Sequence, residues 1–173
     1  MRQHGWFLAG LLAAAAAGAG GEHAAPAAAP GFERFRSLAG EWVAGSDNEM
    51  AQKGDLVARY SVTGGGSAVV ETLFPGAPHE MLTVYTSEGN DIVLTHYCAG
   101  GNQPRMRAKG GAGGGEADFA FDGGANIDLA TTDHMHSAKV WFLGPDELRN
   151  EWRSQAGGKP GMVVKMHFVR KAL

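Results

Sequence analysis

From residue 41 onward, the chain consists of short apolar or alternating runs separated by turns that are rich in glycine or polar residues. Successive side chains of a strand point to opposite faces, so runs of this kind predict strands with one buried face. They predict strands over residues 41–44, 56–62, 68–74, 81–86, 92–98, 105–109, 117–121, 127–131, 134–143, 148–154 and 162–170. Short strands at intervals of about 8–12 residues indicate an antiparallel up-and-down meander. Closure of such a meander removes its unpaired edges, and the predicted fold class is therefore an all-β barrel.

The first thirty residues differ from the rest of the chain. Arg2 precedes an apolar run over residues 6–17, and the small residues at 17–19 fit a cleavage site, so residues 1–19 are predicted to be a secretory signal. Residues 20–30 are rich in Ala, Pro and Gly and predict a flexible leader. We therefore expect an exported protein, periplasmic or extracellular, with no membrane span after signal cleavage.

A short helical pattern precedes the first predicted strand. Phe32, Phe35 and Leu38 recur at helical spacing, and Gly40 is a suitable residue to end the helix. The predicted barrel domain then covers residues 31–173, which is long enough for one domain with its own core.

The charge balance argues against one class of partner, and the cysteine content excludes one source of stability. Lys plus Arg is 15 against 18 for Asp plus Glu, and the basic residues form no stripe along the chain. This composition argues against nucleic acid as the partner. Cys98 is the only cysteine, so no intramolecular disulfide can form and the core must hold the fold. Its place on an apolar row predicts a buried thiol.

Polar side chains interrupt the inward rows of several predicted strands. In strand 92–98, His96 shares a face with Ile92 and Leu94. In strand 134–143, Lys139 should face water, which puts His134 and His136 on the inward row. The same alternation places Tyr60 and Asn150 inside, and the turn after residue 98 places three more polar side chains at or near the rim: Asn102, Gln103 and Arg105.

Three functions are compatible with this arrangement. In the first, these eight side chains orient a small, partly apolar molecule inside the barrel, and no cofactor is needed. In the second, His96, His134 and His136 bind zinc or copper, since a His-x-His pair on one strand face suits chelation. In the third, the same residues form a structural hydrogen-bond network in a filled interior.

Haem and hydrolytic chemistry have less support. The histidine on the last strand, His167, has the wrong parity for the interior, which argues against haem. Ser137 falls on the face opposite His136, and the sequence has no Gly-x-Ser-x-Gly motif. We therefore assign no catalytic residue, and the sequence leaves open whether the protein is an enzyme.

Two sets of motifs resemble known proteins. Gly40-Glu41-Trp42 at the helix-to-strand junction, with Arg170 near the end of the last strand, resembles the Gly-x-Trp signature of lipocalins and the wider calycin superfamily. In that superfamily a C-terminal arginine packs over the tryptophan and closes the barrel base, so the resemblance implies structural roles for Trp42 and Arg170.

A longer resemblance covers most of the chain after the signal. Its motifs are similar to those of a group of exported bacterial proteins of unknown function with a lipocalin-like fold. The resemblance implies this fold and export, and it implies no activity. The motifs are Thr95-His96-Tyr97-Cys98, Gly101-Asn102-Gln103-Pro104-Arg105-Met106, His134-Met135-His136-Ser137 and Glu151-Trp152.

Overall fold

The computed structural model describes residues 27–172, so the predicted signal and residues 20–26 of the predicted leader lie outside this range. The described chain begins with a short helix, α1, and continues almost entirely as strands. The elements are α1 (Phe32–Arg36), β1 (Gly40–Ala44), β2 (Leu56–Thr63), a 3₁₀ turn (Gly64–Gly66), β3 (Ala68–Leu73), β4 (Met81–Glu88), β5 (Asp91–Tyr97), β6 (Gln103–Ala108), β7 (Glu116–Ala125), β8 (His134–Gly144), β9 (Glu147–Ala156) and β10 (Lys159–Arg170).

The ten strands form a closed barrel in which each strand pairs antiparallel with its neighbour in the chain. The first strand closes the ring against the last, with Trp42 opposite Arg170 and Ala44 opposite Phe168. Closure pairs the β1 and β10 edges that an open sheet would expose. The prediction of an all-β, up-and-down antiparallel barrel with a short N-terminal helix is confirmed.

Helix α1 covers the barrel end at which β1 begins and β10 ends, which we call the closed end. Its Phe35 is buried and packs with ring centroids 4.7 Å from Tyr85 and 5.1 Å from Phe142. Ala29, from the described part of the predicted leader, is also buried, and its N–H donates to Ser87 Oγ at 2.7 Å. No helix within residues 27–172 is long and apolar enough to span a membrane.

Trp42 and Arg170 join the helix to the barrel at the closed end. The Trp42 indole is fully buried and donates from Nε1 to Leu38 O at 2.7 Å. The Arg170 guanidinium lies 4.4 Å from the Trp42 ring centroid and donates to Ser37 O and Ala39 O. Stacking of this kind contributes about 0.5–2 kcal/mol, and the carbonyl contacts fasten the end of α1 to β10.

The strand predicted over residues 127–131 is wrong, because this segment is a turn-rich loop between β7 and β8. Asp128 organises the loop: its side chain accepts from Ala130 N–H at 2.9 Å, and its carbonyl accepts from Thr132 N–H at 2.7 Å. Asp side chains commonly compete in this way with sheet pairing. Strand β7 instead continues through Ala125, beyond the end of the strand predicted over residues 117–121.

Candidate functional site

A row of four polar side chains crosses the interior of the barrel. Tyr60, Glu71, Thr83 and His96 belong to β2, β3, β4 and β5, and each is the cross-strand partner of the next. All four are buried. We call these four residues the polar row. Side chains that lie directly opposite each other on one face of a sheet are close neighbours. The strand register alone therefore places a carboxyl group, two hydroxyls and an imidazole side by side in one row.

Glu71 supplies the carboxyl group of the polar row and is only 1% exposed. Tyr60 Oη donates to Glu71 Oε1, and Tyr85 Oη donates to Oε2 at 2.8 Å. Burial raises the pKa of Glu71, although hydrogen bonds from the two tyrosines and Thr83 act in the opposite direction. Burial, with the Glu71 carboxylate alongside, also raises the pKa of both tyrosines, so they remain hydroxyl donors.

His96 ends the polar row and faces a cavity. Its Nδ1 is hydrogen-bonded to Thr83 Oγ1 at 3.0 Å, and its ring centroid lies 4.9 Å from that of Trp152. The side chain is 2% exposed, and burial lowers the pKa of His96 to about 4. The imidazole is therefore neutral at physiological pH. Its Nε2 makes no hydrogen bond to any residue between 27 and 172.

The cavity has a volume of about 300 Å³ and lies at the barrel end opposite α1, which we call the open end. This volume is at the lower limit for small-molecule sites, which span about 300–1,000 Å³. Apart from His96 its lining residues are apolar or aromatic, and five of the ten are methionines. The lining residues are Met50, Leu73, Phe74, Met81, His96, Met135, Trp152, Met162, Val164 and Met166.

Trp152 carries an unpaired polar atom at this cavity. The residue is buried, and its Nε1 has no hydrogen-bond partner in the part of the chain that the structure describes. A buried donor left unpaired costs about 1–3 kcal/mol, and native structures contain few such groups. An indole N–H next to a neutral imidazole therefore provides two hydrogen-bonding groups that a ligand in the cavity could satisfy.

The structure separates the histidines that the sequence predicted to act together. His134 Nε2 and His136 Nδ1 are 3.1 Å apart, and both rings pack on Phe121, with centroids 5.0 and 4.8 Å away. His96 instead contacts Trp152 and Thr83. Burial and the neighbouring His134 lower the pKa of His136.

A β-bulge in β8 accounts for this difference. Met135 pairs with Ser154 and Ser137 pairs with Arg153, so β8 has one residue more than β9 at His136. The bulge interrupts the strict alternation that the sequence prediction assumed. As a result, Met135 lines the cavity with His96, whereas the predicted inward histidine pair packs on Phe121.

The predicted rim residues have different surroundings from those expected. Arg105 is on the outer wall, where its guanidinium is hydrogen-bonded to Glu88 and Asp122, so it does not reach the cavity. Gln103 is at the open end and accepts from Asn126 Nδ2 at 2.7 Å. It also donates from Nε2 to Gly101 O at 3.1 Å, so both of its side-chain hydrogen bonds are to loop residues, as expected for a structural contact.

The two predicted asparagines are buried, and each has one unpaired atom. Asn102 donates from Nδ2 to Asp133 O at 3.0 Å, whereas its Oδ1 has no partner among the described residues. Asn150, placed inside as the sequence predicted, likewise has an Oδ1 that no residue from 27 to 172 satisfies. Cys98, expected to be buried, is half-buried just past the end of β5.

Glu71, Thr83, Trp152 and the methionines were not predicted as site residues. Glu71 had a visible signal, since it interrupts the apolar row formed by Val69 and Leu73 on a predicted strand. The methionines had none, because only Met162 and Met166 share a strand, and all five read as ordinary apolar residues. Only barrel closure brings them to one cavity.

No group of three or more His, Cys, Asp or Glu side chains within residues 27–172 is placed to hold a metal ion. The zinc or copper site on His96, His134 and His136 stays a prediction from sequence. In comparisons with known proteins, no family model and no curated sequence matches this chain.

Proposed function

We propose that this protein is an exported small-molecule-binding barrel. Its ligand is a small, mainly apolar molecule with one hydroxyl-type group, bound in the cavity at the open end. The observation that carries the proposal is the pair of ring nitrogens beside an otherwise apolar cavity, Trp152 Nε1 and His96 Nε2, of which Nε1 is buried without a hydrogen-bond partner among the described residues. The predicted signal over residues 1–19 supports a periplasmic or extracellular location.

The chemistry of the pair favours a hydroxyl. The Trp152 indole can only donate a hydrogen bond, so it requires an acceptor on the ligand. His96 presents Nε2 as an acceptor when its Nδ1–H donates to Thr83, and Thr83 can in turn donate to the Glu71 carboxylate. A hydroxyl accepts from the indole and donates to the imidazole, so it satisfies both nitrogens with one atom.

The lining supports adaptability in the apolar part of the ligand. Methionine side chains are unbranched and polarisable, so they fit apolar surfaces of varied shape. Phe74 and Trp152 add aromatic faces to the same cavity. These features favour a planar or compact apolar body next to the hydroxyl, such as a simple phenol.

Binding of 4-ethylphenol and ethylbenzene tests the proposal, because the two compounds share an apolar body and differ in the hydroxyl. Calorimetry is expected to show both bound, with the phenol tighter by roughly five- to tenfold, the value of about one additional hydrogen bond. Trp152→Phe should reduce this preference to about twofold or less. Trp141→Phe, on the outer wall, should preserve it. Absence of phenol binding, or an unchanged preference in Trp152→Phe, would contradict the proposal.

Two neighbouring valines give a second test. Val164 lines the cavity, whereas Val163 is 42% exposed on the opposite face of β10. Val164→Phe should fill part of the cavity and weaken 4-ethylphenol binding by roughly tenfold or more, since the cavity is already at the lower size limit. Val163→Phe adds the same side chain outside and should leave the dissociation constant unchanged. Equal effects of the two substitutions would place the ligand elsewhere.

A further inference from the structure

The methionines are distributed unevenly in this protein. The chain has seven, and Met1 lies outside the described residues, which leaves six. Five of these six line the cavity at the open end, while Met106 packs elsewhere in the core. Besides forming an adaptable apolar lining, five methionines around one cavity supply a group of thioether sulfurs that can act as soft metal ligands.

We propose that the same cavity binds a soft monovalent metal ion, Cu⁺, through methionine thioether sulfurs and Nε2 of His96. Thioethers are soft ligands that select Cu⁺ over the harder divalent ions, and imidazole is a common copper ligand. Among the described residues, those that line the cavity include no carboxylate and no thiol. The cavity therefore lacks the carboxylate and thiolate ligands that Mg²⁺, Ca²⁺ and Zn²⁺ usually require. The expected selectivity for Cu⁺ follows from this set of lining residues.

His96 is held in the manner of a metal ligand. Its Nδ1 is fixed by Thr83 Oγ1 at 3.0 Å, and Thr83 lies directly opposite Glu71 in the sheet. Ligating histidines usually use their second nitrogen in this way, which sets the ring orientation and leaves the other nitrogen for the metal. The Trp152 ring beside His96 adds an aromatic face that can stabilise a cation.

The positions of the methionines also provide a route into the cavity. Met50 is 46% exposed and Met162 is 55% exposed, so both are accessible at the mouth. Met166 is buried, and Met81 and Met135 are partly buried against the core. An ion that first contacts the exposed sulfurs can pass to the inner sulfurs and His96 by rotation of flexible side chains.

Titration with Ag⁺, a redox-stable ion with the same ligand preference, tests the proposal in the full chain. All proteins should carry Cys98→Ser, because the half-buried thiol is itself a soft ligand. Native mass spectrometry is expected to show one bound Ag⁺. Calorimetry should show binding weakened by about tenfold or more in Met81→Leu/Met135→Leu, and also in His96→Asn. Met106→Leu is the matched control, and it should bind Ag⁺ as tightly as the parent. Cu⁺, added anaerobically in competition with a chelator, should give the same ranking.

The leucine variants separate this proposal from the preceding one. Leucine preserves the apolar lining, so Met81→Leu/Met135→Leu should bind 4-ethylphenol with an affinity within about twofold of the parent. Failure of the parent to bind Ag⁺, or equal Ag⁺ affinity in the double variant and in Met106→Leu, would overturn the metal site. Loss of phenol binding by the parent would instead overturn the small-molecule function, whatever the Ag⁺ result.

Discussion

Replacing Trp42 by alanine is expected to lower the free energy of unfolding by about 3–5 kcal/mol. Trp42 is fully buried, packs edge-on against Tyr60, and bonds Leu38 O through its indole nitrogen. Its removal leaves a cavity at the closed end and takes away the surface on which the Arg170 guanidinium stacks. The expected decrease in the free energy of unfolding therefore has two causes, which are poorer packing of the barrel core and weaker attachment of α1.

Equilibrium unfolding in urea, followed by circular dichroism, measures this effect. Trp141→Ala is a suitable control, because Trp141 is half-buried on the outer wall beside Lys139. Its substitution should cost roughly 1 kcal/mol or less. A similar loss for the two variants would mean that Trp42 has no special role in closing the barrel.

The stability of the wild type relative to His96→Asn is expected to fall by roughly 3 kcal/mol as the pH is lowered from about 6.5 to about 4. In the folded protein, burial lowers the pKa of His96 to about 4, against 6.5 for the ordinary side chain. Between these values the unfolded chain binds a proton that the folded protein does not. Acid therefore favours the unfolded state of the wild type.

The comparison with His96→Asn isolates this contribution. Asparagine can keep a hydrogen bond to Thr83 but does not titrate in this range. Glu71 acts in the opposite direction: its raised pKa contributes stability that is lost as the pH rises through the folded-state value. Since both proteins contain Glu71, its effect cancels to first order in the difference. Urea unfolding at several pH values, without added metal, gives both curves. Parallel curves between pH 4 and 6.5 would show that His96 is not buried in neutral form.

Much of the fold could be predicted because alternation reports burial directly. Strands β8 and β9 have the orientation that the pattern indicated. Lys139 and Arg149 lie on their outer face, and Val140 and Leu148 lie on their inner face. The error at residues 127–131 has a local cause, since the hydrogen bonds of Asp128 favour a turn over a strand.

The site was less predictable than the fold. His96 and Tyr60 could be predicted because each is a polar residue on the otherwise apolar face of its own strand. Both belong to the polar row that crosses strands β2 to β5. Arg105 was misplaced because its neighbours in sequence do not reveal that Glu88 and Asp122 flank it on the outer wall. Those partners come from β4 and β7, and they became visible only with the sheet register.

The helix-then-strands order, the antiparallel meander and the burial of His96 could be predicted from the pattern along the chain, because they depend on residues that are near one another in it. Which side chains share the cavity depends instead on contacts between distant segments. The bulge at His136 arises from the pairing of β8 with β9, and it brings Met135 to the lining in place of the histidine pair. The five methionines come from four segments, with Met162 and Met166 both on β10, and these segments meet only because closure of the barrel brings distant strands around a common interior.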